Sequence, residues 1–353
     1  MHPLFIVKKN NGVELNYKRI IAARRGGPEV LQLIEEELLE PEFKQVRIKV
    51  IAAGVSFADV LMREGVYVGM PDFPFTPGYD IVGIVDMIGT DVKNIKPGNT
   101  VAALTKTGGY AQYIFLAEDE LIHVPDGIDP AEGVSLILNY LTAYQMLFRT
   151  ANVKEGEKIL IHGAAGGVGT ALLQLGKLKN LQMYGTASPG KLQLVKELGG
   201  IPIDYKNENF ENSLTQKYRT GIDVVFEGTG ELAQRSYKVL NAGGRLILFG
   251  ISSMLNNGRR SITKVLATYF RFSIFLYNLI PNKKKVKLYQ ITGDKKQHPQ
   301  WYREDAAALF ELLIKNKIKP FISHRFPLSK AAYAHELLNT SAVSGKIVLM
   351  CQQ

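Results

Sequence analysis

The chain has 353 residues, of which 46% are hydrophobic and 22% are charged, and its formal net charge is +10 at pH 7. This length fits about two globular domains with sizeable cores, and the composition excludes collagen-like and intrinsically disordered classes. The single cysteine, Cys351, excludes an internal disulfide and a cysteine-based metal site.

The first third of the chain is predicted to form the short strands of a barrel-like domain. Short apolar runs separated by glycine- and proline-rich turns are typical of such a domain. The apolar runs are residues 45–55, 79–89 and 99–104, and the turns are residues 74–78, 96–98 and 107–109.

The middle of the chain alternates apolar strand patterns with helical patterns. Alternation at this spacing predicts βαβ units that form a doubly wound parallel sheet. The predicted strands are residues 158–163, 182–187, 201–205, 223–228 and 244–250, and the predicted helices are residues 168–179, 189–199, 210–219 and 231–240.

The last third begins with an apolar stretch, residues 265–280. Arg271 is its only charge, and a group of lysines at 283–287 follows it. It is short for a membrane span, and a central arginine argues further against one. Its apolar pattern on all sides favours a pocket wall or a subunit contact over a helix on a membrane surface. The other predicted elements are an edge strand near 286–291, helices at 304–317 and 331–339, and a strand at 346–350.

A glycine-rich turn, AAGGVG, follows the first strand of the middle region. The three fingerprint positions of a dinucleotide site are occupied by Ala164, Gly166 and Gly169. Such a site needs a tight turn, a backbone without side chains at the pyrophosphate, and close packing of helix on strand. The pyrophosphate is then expected at the helix N-terminus, where N–H groups and the helix dipole favour an anion. The residues there are Gly167 and Val168.

The residues after the second strand of this region favour NADPH over NADH. NAD-preferring sites carry an acidic residue about 20 positions after the first glycine, on the ribose 2′-hydroxyl. No aspartate or glutamate occurs between Lys158 and Lys196, and the second strand ends instead near Ser188 and Lys191. A hydroxyl and an ammonium bind a 2′-phosphate that an acid would repel. The alternative is that Lys191 is a solvated residue of a first helical turn.

Seven blocks of the sequence resemble those of the zinc-independent quinone oxidoreductases of the medium-chain dehydrogenase/reductase superfamily. The resemblance covers nearly the whole chain from about residue 18, and it is strongest to the vesicle amine transport protein-like branch of that group. The blocks are residues 52–67, 74–85, 108–113, 139–144, 162–169, 221–230 and 344–350.

The resemblance implies an α/β protein with a GroES-like, β-barrel-type catalytic domain and a Rossmann nucleotide-binding domain. We expect residues 1–138 and 312–353 to form the catalytic domain and residues 139–311 to form the NADPH-binding domain. The cofactor is expected in the cleft between the two domains.

The resemblance also implies a site without zinc. Zinc-dependent relatives carry a cysteine near Ser56 and the sequence Gly-His-Glu where this chain has Gly78, Tyr79 and Asp80. Their loop with four cysteines has no counterpart in this chain. The usual nitrogen and sulfur ligands of zinc are therefore not expected here.

Candidate catalytic residues follow from the resemblance as well. Tyr67 matches a tyrosine that lines the nicotinamide cleft, and Asp59 and Ser56 belong to the same block. The alternatives are a Tyr67 ring packed under the cofactor with its hydroxyl on water, and an Asp59 that caps a helix starting near Val60. Ser56 stands where many relatives have asparagine, so amide hydrogen bonding does not carry over to it.

Further cofactor contacts are implied on both sides of the glycine turn. Thr142 matches a position beside the nicotinamide carboxamide, and Tyr205 matches one near the adenosine 2′-phosphate. Packing is the alternative for both of them. The residues expected at the end of the last predicted strand are Phe249 and Gly250.

The predicted function is the reduction of quinones or α,β-unsaturated carbonyls by hydride transfer from NADPH. Without a metal, such acceptors suit hydride chemistry because conjugate addition leaves an enolate that needs only a proton. The alternative is an NADPH-binding protein with weak catalysis that acts on lipid or membrane surfaces.

The expected partners are a small electrophilic acceptor and a second copy of the chain, paired through the edge strand. Nucleic acid is not expected, because the lysines are scattered and no basic patch is interleaved with aromatic residues. Membrane-surface contact is the less favoured alternative. The first residues lack the pattern of a signal peptide, so a cytoplasmic location is expected.

Overall fold

The computed structural model describes residues 15–217, 219–250, 255–256, 259–260, 283–340 and 342–352. The strands are β1 (Asn16–Ala22), β2 (Leu31–Glu37), β3 (Gln45–Val55), β4 (Asp80–Ile88), β5 (Thr100–Leu104), β6 (Tyr113–Ala117), β7 (Ile122–His123), β8 (Lys158–His162), β9 (Gln182–Ala187), β10 (Ile201–Asp204), β11 (Ile222–Glu227), β12 (Leu240–Leu248), β13 (Leu255–Asn256), β14 (Arg259–Arg260), β15 (Lys285–Leu288), β16 (Ile322–Pro327) and β17 (Lys346–Met350).

The described helices connect these strands and pack on them. They are α1 (Phe57–Arg63), α2 (Pro130–Ser135), α3 (Leu141–Tyr144), α4 (Gly167–Leu178), α5 (Leu192–Glu197), α6 (Phe210–Asn212), α7 (Ala233–Lys238), α8 (Ile291–Gln297), α9 (Pro299–Ile314) and α10 (Ala331–Asn339). Turns of π-helix at Leu136–Tyr140 and Gln145–Thr150 join α2 and α3 into one helical run.

The middle of the chain forms a parallel sheet in the order β10-β9-β8-β11-β12-β15. This is the strand order of the Rossmann fold, with the switch point between β8 and β11. Val224, Val225 and Phe226 of β11 have no exposed surface, as expected for a central strand covered by helices on both faces. The predicted doubly wound nucleotide-binding fold is confirmed.

Both ends of the chain contribute to a second, mostly antiparallel sheet in the order β16-β17-β3-β4-β5-β7, with β6 paired to β3. β17, near the C-terminus, lies directly beside β3. The predicted GroES-like fold is confirmed in this arrangement. The limits set for the two domains, at 138/139 and 311/312, stay predictions.

The edge strand of the parallel sheet is shorter than predicted. A strand was expected near residues 286–291, whereas β15 ends at Leu288 and α8 begins at Ile291. Tyr289 lies between them and is 4% exposed. The apolar residues after Leu288 are therefore buried by a turn into a helix and not by continued strand pairing.

The apolar stretch at 265–280 lies outside the described residues. Two lysines of the cluster that follows are described with their partners: Lys284 Nζ donates to the Tyr237 carbonyl at 3.1 Å, and Lys287 Nζ donates to the Thr150 carbonyl at 2.5 Å. Across the described parts of the chain, no helix combines the length and apolar character that crossing a membrane needs.

Candidate functional site

The glycine-rich turn lies at the carboxyl end of β8, beside the switch point of the sheet. Gly163 has a φ of +68°, and its carbonyl accepts a hydrogen bond from Gly166 N–H at 2.9 Å. Ala164 is completely buried, and its N–H donates to the Thr186 carbonyl of β9 at 3.0 Å. These bonds fix a tight turn between β8 and the helix that follows.

Helix α4 begins at Gly167, directly after this turn, and Gly166 is its N-cap residue. Its first turn consists of Gly167, Val168 and Gly169. The N–H groups of a first helical turn have no carbonyl partner within the helix, because no helical turn precedes them. The positive end of the helix dipole lies at the same place. The structure thus brings all five residues predicted for the pyrophosphate site, including Ala164, into one turn that can bind an anion.

The residues predicted for the adenosine ribose lie at the ends of β9 and β10. Ser188 follows β9, and its carbonyl accepts a hydrogen bond from Lys191 N–H at 2.9 Å. Tyr205 follows β10 and is 50% exposed. Lys191 Nζ donates to the Val343 carbonyl at 2.5 Å, and burial lowers the pKa of this half-buried ammonium. The interpretation of Lys191 as fully solvated is therefore wrong, because its side chain is partly enclosed against the C-terminal segment.

Phe249 and Gly250 lie at the end of β12, next to the end of β11. A Cβ atom on Gly228 would lie 2.7 Å from the Phe249 ring, so the ring packs closely on the loop that follows β11. Glu227, which was not among the predicted site residues, is completely buried at this point. Its carboxylate accepts hydrogen bonds from Thr229 N–H at 2.7 Å and Gly230 N–H at 2.8 Å.

Glu227 fixes the loop that leaves the sheet beside the glycine turn. Burial raises the pKa of its carboxyl group, and the bonds from Thr229 and Gly230 oppose that increase. In the sequence, the signal for Glu227 is an acidic residue at the end of an otherwise apolar strand, DVVFEG, because a buried acid needs hydrogen-bond partners.

Thr142 lies in α3, largely buried, beside the hydroxyl of Tyr289. Burial raises the pKa of Tyr289 and the interaction with Thr142 opposes the increase. The Tyr289 hydroxyl donates to Gln145 Oε1 at 2.8 Å. Thr142 is therefore part of a buried polar group, in addition to its expected place near the nicotinamide.

Ser56 and Asp59 form the start of α1. Ser56 is the N-cap residue and Asp59 the third helical residue, and together they make a capping box. Asp59 thus takes part in capping a helix, as its alternative role predicted, although the helix begins at Phe57 and the N-cap residue is Ser56. Asp59 Oδ2 accepts from Ser56 N–H at 2.9 Å and from Ser56 Oγ at 2.6 Å, and Asp59 Oδ1 accepts from Gly78 N–H at 2.9 Å.

Asp59 has no exposed surface, and its carboxyl group is bound by Ser56 and Gly78. Burial raises its pKa to about 6, against the opposing effect of the hydrogen bonds from Ser56 and Gly78. The same carboxyl group thereby connects α1 to the turn that carries Tyr79. Its position explains why an acid occurs here without requiring it to touch a substrate.

Tyr67 is half-buried, and its hydroxyl oxygen lies 2.9 Å from the hydroxyl oxygen of Tyr79. The two rings are in edge-to-face contact, with centroids 6.3 Å apart. The Tyr67 hydroxyl therefore has a protein partner, while its expected place in the nicotinamide cleft stays a prediction. Sequence reasoning assigned no role to Tyr79, because nothing local in the sequence indicates this pairing.

Asp80 forms a buried ion pair with Lys346 of β17. Lys346 Nζ lies 2.8 Å from Asp80 Oδ2, and the two residues are 3% and 0% exposed. Burial raises the pKa of Asp80, and the Lys346 ammonium opposes that increase. Among the residues that the structure describes, no group of three or more histidine, cysteine, aspartate or glutamate residues is arranged to bind a metal.

Hydrogen bonds also link segments of the two folds. Gly345 N–H donates to the Ala165 carbonyl of the glycine-rich turn at 2.8 Å. Leu104 N–H donates to the Tyr302 hydroxyl at 3.0 Å, and Lys295 Nζ donates to the Leu104 carbonyl at 3.3 Å. The dinucleotide turn is thus bonded to the segment before β17, and the end of β5 is bonded to α8 and α9.

Known proteins are similar to this chain in sequence. Residues 42–126 match the alcohol dehydrogenase GroES-like domain, and residues 200–349 match the zinc-binding dehydrogenase family. The quinone oxidoreductase of Rattus norvegicus is 32% identical over 333 residues, which cover 92% of this chain and 95% of that protein. The synaptic vesicle membrane protein VAT-1 homolog of Danio rerio is 28% identical over 340 residues, which cover 94% of this chain and 70% of that protein.

Solved structures agree with these matches. The crystal structure of the Escherichia coli quinone oxidoreductase complexed with NADPH has a TM-score of 0.84 and 27% identity, covering 95% of this chain and 100% of that one. Sequence identity above 30% over nine-tenths of the chain shows the family as well as the fold. The chain therefore belongs to the quinone oxidoreductase and VAT-1-like family of oxidoreductases in the medium-chain dehydrogenase/reductase superfamily.

Proposed function

We propose that this oxidoreductase uses NADPH to reduce quinones or α,β-unsaturated carbonyls by hydride transfer, without zinc. The observations that carry the proposal are a Rossmann glycine turn bonded to Gly345, beside β17, and a half-buried Tyr67 whose hydroxyl lies 2.9 Å from that of Tyr79. Tyr67 offers a proton donor, and the described residues contain no cluster of the usual metal ligands.

NADPH fits the residues at the carboxyl ends of β8 and β9. The first turn of α4 binds the pyrophosphate, and Lys191, with Ser188 beside it, binds the 2′-phosphate. No acidic residue lies at the end of β9 to repel that phosphate. The Escherichia coli relative was solved with NADPH bound, which supports the same choice for this chain.

When bound, NADPH supplies the hydride. The residues of this chain bind and orient the acceptor, and Tyr67 donates a proton to the oxygen on which negative charge develops. Thr142 lies on the nicotinamide side of the cleft, and Ser56 lies at the start of α1 on the acceptor side. Asp59 fixes Ser56 and the turn before β4 by its three hydrogen bonds.

The test of this function is NADPH oxidation by the purified protein, measured with a panel of quinones and enones. We expect turnover with at least one class of acceptor, and its absence with all of them would reject the proposal. Liposome flotation, with and without anionic lipid, tests the lipid-binding alternative in the same preparation. Flotation without acceptor turnover would favour that alternative.

Zinc independence is the first specific prediction. Asp80 stands where the zinc-dependent pattern has its glutamate, and its carboxylate is already paired with the Lys346 ammonium. We expect full activity after exhaustive chelation and no stoichiometric zinc by elemental analysis. Loss of activity that zinc alone restores would contradict the prediction.

A homodimer paired through β15 is the second prediction. β15 lies at the edge of the described sheet, and Leu288 at its end is 43% exposed. An unpaired apolar edge favours association, and two such edges can pair across a twofold axis. Light scattering is expected to show a dimer of the 39.2 kDa chain.

The matched variants for the dimer are Leu288→Asp and Leu178→Asp, because both leucines are 43% exposed and only the first lies at this edge. We expect Leu288→Asp to give monomers and Leu178→Asp to leave the dimer intact. A parent protein that is monomeric in dilute solution would show that β15 is not an interface.

A further inference from the structure

Tyr79 is a buried tyrosine whose hydroxyl contacts Tyr67 from behind the cleft. It directly precedes β4 and is 2% exposed, whereas Tyr67 is half-buried. The two hydroxyl oxygens are 2.9 Å apart, a distance typical of a good hydrogen bond. Because Tyr79 is buried, it cannot touch an acceptor in the cleft, and any effect on the reaction has to pass through Tyr67.

A second hydroxyl lies close to that of Tyr79. The hydroxyl of Thr292, on α8, also lies beside the Tyr79 hydroxyl. Burial raises the pKa of Tyr79 most, contact with Tyr67 raises it further, and contact with Thr292 lowers it. The geometry of the Tyr67–Tyr79 contact allows either hydroxyl to donate.

A hydrogen bond donated by Tyr79 to Tyr67 leaves the Tyr67 proton available to an acceptor. A buried hydroxyl normally donates to a protein acceptor, and the Tyr67 oxygen lies 2.9 Å from that of Tyr79. The Tyr67 oxygen is then occupied as an acceptor, so its own O–H group points to another partner. Consecutive hydroxyls that donate in the same direction also strengthen one another.

We propose that Tyr79 is a positioning residue for the reduction, donating a hydrogen bond that orients Tyr67 and stabilises the charge that Tyr67 acquires as it gives up its proton. This inference rests on the proposed function. Hydride addition delivers two electrons to the acceptor and leaves an enolate or phenolate oxygen. The Tyr67 O–H bond breaks, the proton forms a new O–H bond on that oxygen, and Tyr67 regains a proton from solvent.

Tyr79 stays protonated throughout this sequence. Its hydrogen bond to Tyr67 becomes charge-assisted when Tyr67 is a phenolate, so it is stronger in the transition state than in the resting site. Thr292, on α8, lies beside the Tyr79 hydroxyl.

The test compares Tyr79→Phe with Tyr140→Phe in the full-length protein. We expect Tyr79→Phe to lower kcat about three- to tenfold, the usual effect of losing one such hydrogen bond, with the KM for NADPH unchanged. The solvent deuterium isotope effect on kcat is expected to rise, because proton transfer becomes slower relative to the other steps. Tyr140 is the control, since it is 1% exposed and its hydroxyl has no hydrogen-bond partner among the described residues.

A double-mutant cycle separates positioning from general structural damage. If Tyr79 acts through Tyr67, adding Tyr79→Phe to Tyr67→Phe lowers kcat by less than about twofold further. Independent, multiplying losses would overturn the inference, as would a Tyr79→Phe variant with the parental kcat and isotope effect. If thermal unfolding shows that Tyr79→Phe does not fold, Tyr79→Met replaces it in the cycle. The flexible methionine side chain adapts to the same space.

The outcomes also separate this inference from the proposed function. A parent protein that oxidises NADPH with none of the acceptors removes the function and the inference together. A parent protein that turns over, with Tyr79→Phe and Tyr140→Phe equally active, keeps the function and removes only the role of Tyr79.

Discussion

Gly169→Ala is expected to destabilise the protein by about 3 kcal/mol or more, the upper range for overpacking in a core. A Cβ atom at this position would lie 2.4 Å from the Gly163 carbonyl oxygen and 2.6 Å from the Ala164 Cα. Both neighbours are backbone atoms of the turn, so they cannot rotate away as a flexible side chain would. Chemical denaturation of the apo protein measures the loss.

Gly166→Ala is expected to behave differently, although it lies in the same turn. Its Cβ atom would meet only the Gly163 carbonyl oxygen, at 3.3 Å, so the fold is expected to stay intact. The new methyl group would occupy the bare backbone that the pyrophosphate approaches. We expect NADPH affinity to fall roughly 10- to 100-fold, which is about 1.4–2.8 kcal/mol.

Gly190→Ala is the control for both variants, because a Cβ atom there would meet nothing within 4 Å. Fluorescence titration with NADPH and denaturation curves together distinguish a binding defect from a folding defect. A Gly166→Ala protein that binds NADPH as tightly as the parent would show that this turn does not contact the pyrophosphate. A Gly169→Ala protein with parental stability would contradict the packing argument.

The parallel sheet was predictable because its strands are buried on both faces and therefore appear as continuous apolar runs. β9 begins and ends at the predicted residues, 182–187, and so do β17 at 346–350 and α10 at 331–339. In each case a glycine, proline or polar turn limits the pattern on at least one side. The glycine turn was predictable for the same local reason, since fingerprint, strand and helix are adjacent in the chain.

Other elements could not be predicted because their stabilising contacts are not local. β2 has the sequence LQLIEEE with most of its residues exposed, and its pairing to β1 is what makes it a strand. The helical run from α2 to Gln145–Thr150 is apolar on several faces and includes π-helical turns, so it lacks a clear helical period.

The candidate site shows the same limit at the level of single residues. Asp80 and Lys346 are 266 positions apart in the chain and form their ion pair only through the pairing of β17 with β3. Tyr67 and Tyr79 are 12 positions apart, yet no local pattern indicates that their hydroxyls meet. Sequence motifs therefore predicted the cofactor turn, whereas tertiary contacts determine which groups orient the proton donor.

Lys191→Ala is expected to weaken NADPH binding by on the order of 1–3 kcal/mol and to leave NADH binding nearly unchanged. The ammonium lies after the end of β9, where the adenosine 2′-phosphate is expected, and no acidic residue between Lys158 and Lys196 offsets its charge. NADH lacks the phosphate, so it does not gain from the ammonium. Parallel fluorescence titrations with the two cofactors measure the change in preference.

The contact between Lys191 and the Val343 carbonyl gives this prediction a competing outcome. If the main role of the ammonium were to fix the C-terminal segment against the glycine turn, through Val343 and the nearby Gly345–Ala165 bond, its loss would weaken both cofactors equally. Lys196→Ala is the matched control, because Lys196 is an exposed lysine of the same helical region. A loss confined to NADPH in Lys191→Ala, with neither cofactor affected in Lys196→Ala, identifies Lys191 as the phosphate-binding residue, because only a charge placed at the 2′-position distinguishes the two cofactors.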